Sequence, residues 1–505
     1  MSHPKRLSAV AALLAAAASA LIPPPARGQA SSAGRFVAKI DCLADPARSY
    51  ALYLPSSFDP RKTWPVLVLF DPGARGAAAI EAFRDAAERY GWILAASNDS
   101  RNGPMEASVR AALALWTDVR QRVPIDEKRV YASGFSGGAR VASVFPAVVG
   151  RPIAGIIGCG AGLSAGIEPG KLGAAAYFGL AGLRDFNYGE MKGLDRALDP
   201  SGIPHRFHYF DGPHVWPDPA SCALAVGWME ITAMKRGLRP PNRERAAAFI
   251  RGDLEEAGTL EAARRVFWAA DRLEAAMRLA AGMGLDIAGL AELPARLERL
   301  KASRDYGLFL EAERKRDRKD AEFRKEFSRA VGAIEDAETG GPSAVPEVLL
   351  ETGVRFLKKA AKGKGAIEDR ASASRRLYDL CSAARTRALE LYGKGDMIRS
   401  GAYLDLAIAA CEEGLSMESG LYYDRSCVAA RAGDKALALR HLAAAVDKGF
   451  ANLGVLETDK DLDPIRPTAA FQALLERVRR SRGLSAGAGD DLLVVRLFPA
   501  AASGG

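Results

Sequence analysis

The segment Gly134-Phe135-Ser136-Gly137-Gly138 sets a serine among glycines. It directly follows a strand-like run, Arg129–Ser133, and precedes a helix-compatible one, Ala139–Val148. Strand, G-x-S-x-G and helix in that order form the setting of a nucleophile elbow. The turn is so tight that side chains at the glycine places would strike neighbouring backbone. Ser136 then projects from the carboxyl edge of a sheet, and the Gly137 N–H is available to hold an oxyanion. A serine hydroxyl is a weak nucleophile and needs a base. Of the five histidines, His3 lies at the start and His441 far along the chain, which leaves His205, His208 and His214. His205 and His208 fall in or just before a strand, Arg206–Phe210, where a structural role is expected. His214 follows that strand in the loop Asp211–Pro217 and is the expected base. A metal site of His205, His208, Asp211 and His214 is the alternative, although the spacing matches no helix-borne pair such as H-E-x-x-H.

An acid that orients His214 belongs between Ser136 and His214 in chain order. Tyr177–Ala181 is strand-like, and Asp185 follows it in Gly182–Tyr188, level with the elbow; Glu190 and Asp211 compete for the role. As a structural residue, Asp185 would simply cap a helix. A second oxyanion donor is expected from the loop Phe70–Gly76. Pro72 has no N–H, so Gly73, Ala74 or Arg75 must supply it, and Arg75 is also a candidate to receive a substrate carboxylate.

These residues require a sheet to carry them. Tyr50–Leu54, Pro65–Asp71, Trp92–Ala96 and Arg129–Ser133 read as strands, and Ala77–Tyr90 and Met105–Val123 as helices between them. Near-continuous apolar strands separated by helices indicate a mostly parallel sheet covered on both faces, an α/β domain over 31–238. Gly237-Leu238-Arg239-Pro240-Pro241 breaks that pattern. Residues 239–384 then read as helical, as degenerate hairpins without a registered period. Within Glu311–Glu326, 13 of 16 residues are charged, seven basic and six acidic, which predicts a solvated helix. Gly340-Gly341-Pro342-Ser343 reads as a break inside the helical half.

Gly395-Asp396 and Gly433-Asp434 recur 38 residues apart, each between helix-length segments. Small and apolar residues such as Ala429, Ala436, Leu439 and Leu442 suit close helix packing. Residues 385–480 therefore resemble tetratricopeptide repeats, all-α hairpins whose concave surfaces bind peptides. A tail, 481–505, ends the chain.

The chain has 505 residues, 49% hydrophobic and 26% charged, which excludes a disordered polymer, a collagen-like repeat and a small disulfide scaffold. Net charge is +9, and Lys5, Arg6 and Arg27 lie within the first 30 residues, so +6 is spread over the rest. Such a mild excess calls for no nucleic-acid or membrane partner. Lys5-Arg6, the apolar run Leu7–Ile22 and the small residues Gly28 and Ala30 read as a secretory signal over 1–30. The run is shorter than the ~20 residues of a membrane span, so an uncleaved anchor is the lesser reading. Periplasmic or secreted localisation follows, with no membrane span after signal removal. No cysteine pair has C-x-x-C spacing; a Cys42–Cys222 bridge is one arrangement open to an exported chain, and Cys381, Cys411 and Cys427 read as buried thiols.

Ile125-Asp126 with Arg129-Val130-Tyr131, then G-F-S-G-G, G-x-x-D-F-N-Y and G-x-H-x-W-P, in that order, resemble the polyhydroxybutyrate depolymerase and feruloyl esterase-like branch of the α/β hydrolases. The resemblance covers about residues 35–237. It implies carboxylic ester hydrolysis by Ser136, Asp185 and His214, on a small-molecule or polymeric ester, without cofactor or metal. Asp71-Pro72-Gly73 stands where relatives often carry H-G-x-G. Two rival readings are an inert hydrolase-like domain on a protein-binding repeat scaffold, and a serine peptidase with the same triad.

Overall fold

The computed structural model describes residues 34–336, 353–415 and 417–484. The expected signal at 1–30, the break at Gly340–Ser343 and most of the 481–505 tail lie outside the described residues.

Eight strands form one sheet: β1 (Arg35–Asp41), β2 (Ser49–Leu54), β3 (Trp64–Phe70), β4 (Ile93–Ser97), β5 (Ile125–Phe135), β6 (Gly155–Cys159), β7 (Ala176–Gly182) and β8 (His205–Phe210). Their spatial order is β1-β2-β4-β3-β5-β6-β7-β8. The β1–β2 and β2–β4 pairs are antiparallel, and all later pairs are parallel. Parallel strands need crossovers, supplied here by α1 (Gly76–Tyr90), α2 (Met105–Arg122), α3 (Gly137–Val148) and α4 (Tyr188–Leu198), with α5 (Pro219–Lys235) following β8. This is the α/β-hydrolase fold, and it brings the carboxyl ends of β3, β5, β7 and β8 to one edge.

The alternation of β3 explains the two-faced core. Leu67 and Leu69 pack toward Phe83 of α1 and Trp228 of α5, whereas Val66, Val68 and Phe70 pack toward Trp116 of α2 and Phe145 of α3. Cys222 belongs to the first of these clusters and Cys42 to the second, so the sheet lies between them. The Cys42–Cys222 bridge does not form, and all six cysteines are free and buried.

All further described segments are helical. The first face of the sheet also recruits α6 (Arg243–Ala262) and α7 (Val266–Ala280): Ile250, Ala276 and Leu279 share its core. Apolar packing therefore continues past the Pro240-Pro241 break. A buried ion pair crosses the same boundary, with Arg206 of β8 donating two hydrogen bonds of 2.8 and 2.7 Å to Asp253.

After α8 (Leu293–Lys301) comes α9 (Arg304–Asp336), the charged stretch expected to be solvated. One flank is instead an ionic seam. Glu313 and Asp317 bind Lys192 of α4, while Arg316 and Asp320 are buried. Asp320 faces Arg375 on α11 (Ile367–Gly393), which follows the short α10 (Arg355–Ala361). Charge richness identified the exposed flank correctly but carried no sign of the pairing on the other. The Gly-Asp turns close two helix pairs, α11 with α12 (Met397–Ala410) and α13 (Glu418–Arg431) with α14 (Lys435–Asp447). Gly395 and Gly433 take positive φ, and Asp396 and Asp434 cap the returning helices. The short α15 (Leu453–Thr458) and α16 (Ala469–Leu484) cover the last pair.

Asp253→Ala would leave the Arg206 guanidinium buried without its carboxylate. Loss of one partner of a buried pair costs about 3–5 kcal/mol; urea unfolding of the full chain is expected to show a destabilisation in that range.

Candidate active site

Ser136 occupies the sharp turn between β5 and α3 with φ 52° and ψ −122°. A non-glycine residue there is strained, and close packing holds it. A side chain on Gly134 would strike the Gly138 carbonyl, and one on Gly138 would strike the Phe70 carbonyl, so α3 seats directly on the sheet edge. The Ser136 N–H donates to the Cys159 carbonyl at 2.8 Å and pins the turn to β6.

The loops after β7 and β8 are zipped together. Leu183 N–H donates to Phe210 O (2.8 Å) and Arg184 N–H to Gly212 O (3.0 Å), which aligns the Asp185 and His214 loops. His214 Nε2 lies 2.9 Å from Ser136 Oγ, and its Nδ1 lies 2.8 Å from Asp185 Oδ1. An ionised carboxylate only accepts, so Nδ1 carries the proton and Nε2 is free to accept from the serine hydroxyl. The Asn187 N–H donates to the same carboxylate oxygen at 2.8 Å. Asp185 is 1% exposed and His214 12% exposed, a nearly dry pair that opens only toward the serine. Ser136, Asp185 and His214, singled out separately in the sequence, are thus brought into one relay.

The competing residues are engaged elsewhere. Glu190 accepts both Arg140 guanidinium nitrogens and the Gly162 N–H. Asp211 pairs with Arg184 at 3.6 Å. His205 Nδ1 accompanies the Ile203 carbonyl, and His208 Nδ1 accepts from Arg272 at 2.9 Å. Burial, with Arg272 and Arg206 nearby, holds the His208 imidazole well below its usual range, consistent with a neutral acceptor. His205, His208, Asp211 and His214 do not converge on a shared ligand point.

The loop after β3 departs from expectation. Asp71 is fully buried and accepts from Gly73 N–H (2.8 Å), Arg75 N–H (3.3 Å), Arg75 Nε (2.8 Å), Arg75 Nη2 (3.0 Å) and Trp216 Nε1 (2.8 Å). Ala74 N–H turns back to the Asp71 carbonyl at 3.2 Å. Gly73 and Ala74, the expected second oxyanion donors, therefore spend their N–H groups on this turn. Arg75, considered for a substrate carboxylate, is neutralised by Asp71. The Gly137 N–H, in the first turn of α3, has no protein acceptor among the described residues.

Ser136 and Gly137 open onto a cavity of about 300 Å³, also lined by Asn102, Arg101, Phe186 and Asn187. Two tilted rings pack against His214, Phe135 at 4.5 Å and Phe186 at 4.1 Å between centroids. Phe186 is in turn stacked at 4.1 Å and 9° on Tyr378 of α11. Burial, with Cys381 and Asp185 close by, raises the Tyr378 phenol above its ordinary range and keeps it neutral. Arg375, one turn earlier, donates to the Leu183 carbonyl at 2.5 Å and lies over the Tyr188 ring. The helical half thus touches the acid loop directly. No signal in the sequence pairs positions 186 and 378; Asp71 and Trp216 were visible only as polar and aromatic loop residues.

No protein-family model matches the chain, and no curated protein matches it. Among solved structures, the S-formylglutathione hydrolase FrmB of Staphylococcus aureus is similar at 16% identity, covering 40% of this chain and 99% of that one, with a TM-score of 0.32. A ferulic acid esterase is similar at 15% identity, 39% and 98% coverage and TM-score 0.32. Esterase 2 of Thermogutta terrifontis is similar at 14% identity, 44% and 99% coverage and TM-score 0.32.

Removing the ring under Phe186 should loosen the acid loop before it loosens the fold. Tyr378→Ala is expected to speed amide hydrogen exchange across residues 183–188 while the β5 and β6 amides keep wild-type protection, as read by mass spectrometry.

Proposed function

We propose that the chain is an exported serine hydrolase that cleaves carboxylic esters through an acyl-enzyme. The observation that carries this reading is the continuous relay from Asp185 through His214 to Ser136 at an elbow under strain. Ser136 Oγ bonds to the ester carbonyl carbon, the carbonyl π pair moves to oxygen, and the serine proton passes to His214 Nε2. Collapse of the tetrahedral species re-forms the carbonyl and expels the alcohol, which takes the proton from His214. Water then attacks the acyl-enzyme by the same route and releases the acid and Ser136. Asp185 holds the imidazole in its working tautomer and stabilises the imidazolium without being protonated itself. The Gly137 N–H is one oxyanion donor.

A second reading, an inert hydrolase-like domain on a helical scaffold, is favoured by one observation: the Gly73 and Ala74 N–H groups are already taken. Reaction with a fluorophosphonate probe separates the two, because the probe reports an activated serine without knowledge of the substrate. Labelling and short-chain p-nitrophenyl ester hydrolysis are expected in the wild type and lost in Ser136→Ala. Asp185→Asn is expected to lower kcat by on the order of 10³–10⁴-fold with the fold intact. A well-folded wild type that neither labels nor turns over would establish the scaffold reading instead.

A further inference from the structure

We propose that the Asn102 carboxamide is the second oxyanion donor, in the role that the loop after β3 leaves unfilled; this rests on the esterase reading. An oxyanion hole generally needs two preorganised donors at the position where negative charge develops. Gly137 supplies one. The positions expected to supply the other cannot do so without dismantling the Asp71 turn, which ties Gly73, Ala74 and Arg75 to one buried carboxylate and its carbonyl.

Asn102 comes from the neighbouring loop, after β4, and arrives over the gap. Its N–H donates to the Pro72 carbonyl at 2.8 Å, and Gly73 pairs with Arg101 as an isolated antiparallel bridge. Arg101 is also fixed from behind by Ser108, whose hydroxyl meets both its N–H and its carbonyl. The backbone of this residue is thus held against the loop that would otherwise carry the donor. Its carboxamide lies on the elbow: Asn102 Oδ1 occupies the place where a Cβ on Gly137 would sit, and Nδ2 lies 3.8 Å from that point. This explains why the residue after the nucleophile, free in an ordinary G-x-S-x-G elbow, is a second glycine here. With the oxygen turned toward Gly137, the amide nitrogen is the group left over. The Asn102 side chain is exposed, has no protein hydrogen-bond partner among the described residues, and lines the same cavity as Ser136 and Gly137. A neutral amide N–H on the wall of the cavity onto which Ser136 and Gly137 open is suited to an oxyanion, since it donates at any working pH and adds no charge to be desolvated.

The test uses the full chain with Asn102→Ala and the near-isosteric Asn102→Asp, whose carboxylate has no proton to donate at neutral pH. Steady-state hydrolysis of a short-chain p-nitrophenyl ester gives kcat and KM. Inhibition by a trifluoromethyl ketone, which forms an oxyanion on the serine, reads the donor directly. Both variants are expected to keep KM within about threefold and to lose on the order of 10²–10³-fold in kcat, with ketone affinity falling in parallel. If Asn102→Ala fails to fold, Asn102→Asp alone carries the comparison. Turnover within about threefold of wild type in a folded variant overturns the assignment and leaves the esterase reading intact. A fall in kcat without weakened ketone binding also overturns it. A wild type without Ser136-dependent turnover removes both.

Discussion

One buried carboxylate organises the edge of the sheet at which Ser136, Asp185 and His214 meet. Asp71 directly follows β3, is shielded from water, and is satisfied by backbone and side-chain donors from two loops. A carboxylate left bare in such a place would cost several kcal/mol. Arg75 supplies the compensating charge, and the Trp216 indole carries the histidine-bearing loop onto the same anchor. Because Trp216 also packs on Phe135 at 5.5 Å, and Phe135 on His214, the position of the imidazole is tied to the strand that leads into Ser136. The same anchor consumes the N–H groups after β3, so satisfying a buried charge reshapes where an oxyanion can be held.

The second constraint comes from outside the sheet. The His214 ring lies within hydrogen-bond distance of both the Asp185 and the Ser136 oxygens, and two tilted rings, Phe135 and Phe186, pack against it there. One of those rings, Phe186, is backed by Tyr378, so the ring stack extends from the α/β unit into the helical half. The contact is reinforced by Arg375, whose charge is balanced by Asp320 of α9 and whose guanidinium lies on the Tyr188 ring. Two long helices therefore contribute to the frame of a site made wholly of residues from the first half. Such a frame bears on the loop that carries Asp185 without bringing any helical residue into the Ser136–His214–Asp185 hydrogen bonds.

The helical half also changes what stabilises the sheet. With Ile250, Ala276 and Leu279 in the same apolar cluster as Leu67 and Phe178, one face of the sheet is finished by helices beyond the Pro240-Pro241 break. Proline can interrupt a helix locally through its missing N–H and its ring, but it has no influence over which apolar faces meet afterwards. The charged helix α9 makes the same point in polar terms. Its acids and bases are balanced along the sequence, yet one flank pairs with Lys192 and Arg375 at a buried seam.

Local chemistry determined a great deal of this protein from the sequence. The elbow glycines and the alternation of apolar strands and helices are legible because each depends on neighbours within a few residues: a tight turn needs glycine, and a doubly covered strand needs an apolar run; the order Ser136, Asp185, His214 is legible from the sequence only as a pattern in chain order. The Gly-Asp turns of the helix pairs are readable for the same reason, since positive φ and helix capping are local demands. What only the tertiary structure decided were the pairings across the chain: Asp71 with Trp216, Phe186 with Tyr378, Asp253 with Arg206, and Asn102 against Gly137. The Cys42–Cys222 bridge and the Gly73 and Ala74 donors failed as expectations on the same ground. Each concerned where a group points once the sheet has formed, and a side chain's face and an N–H group's acceptor are set by whichever partner packing brings within about 3 Å.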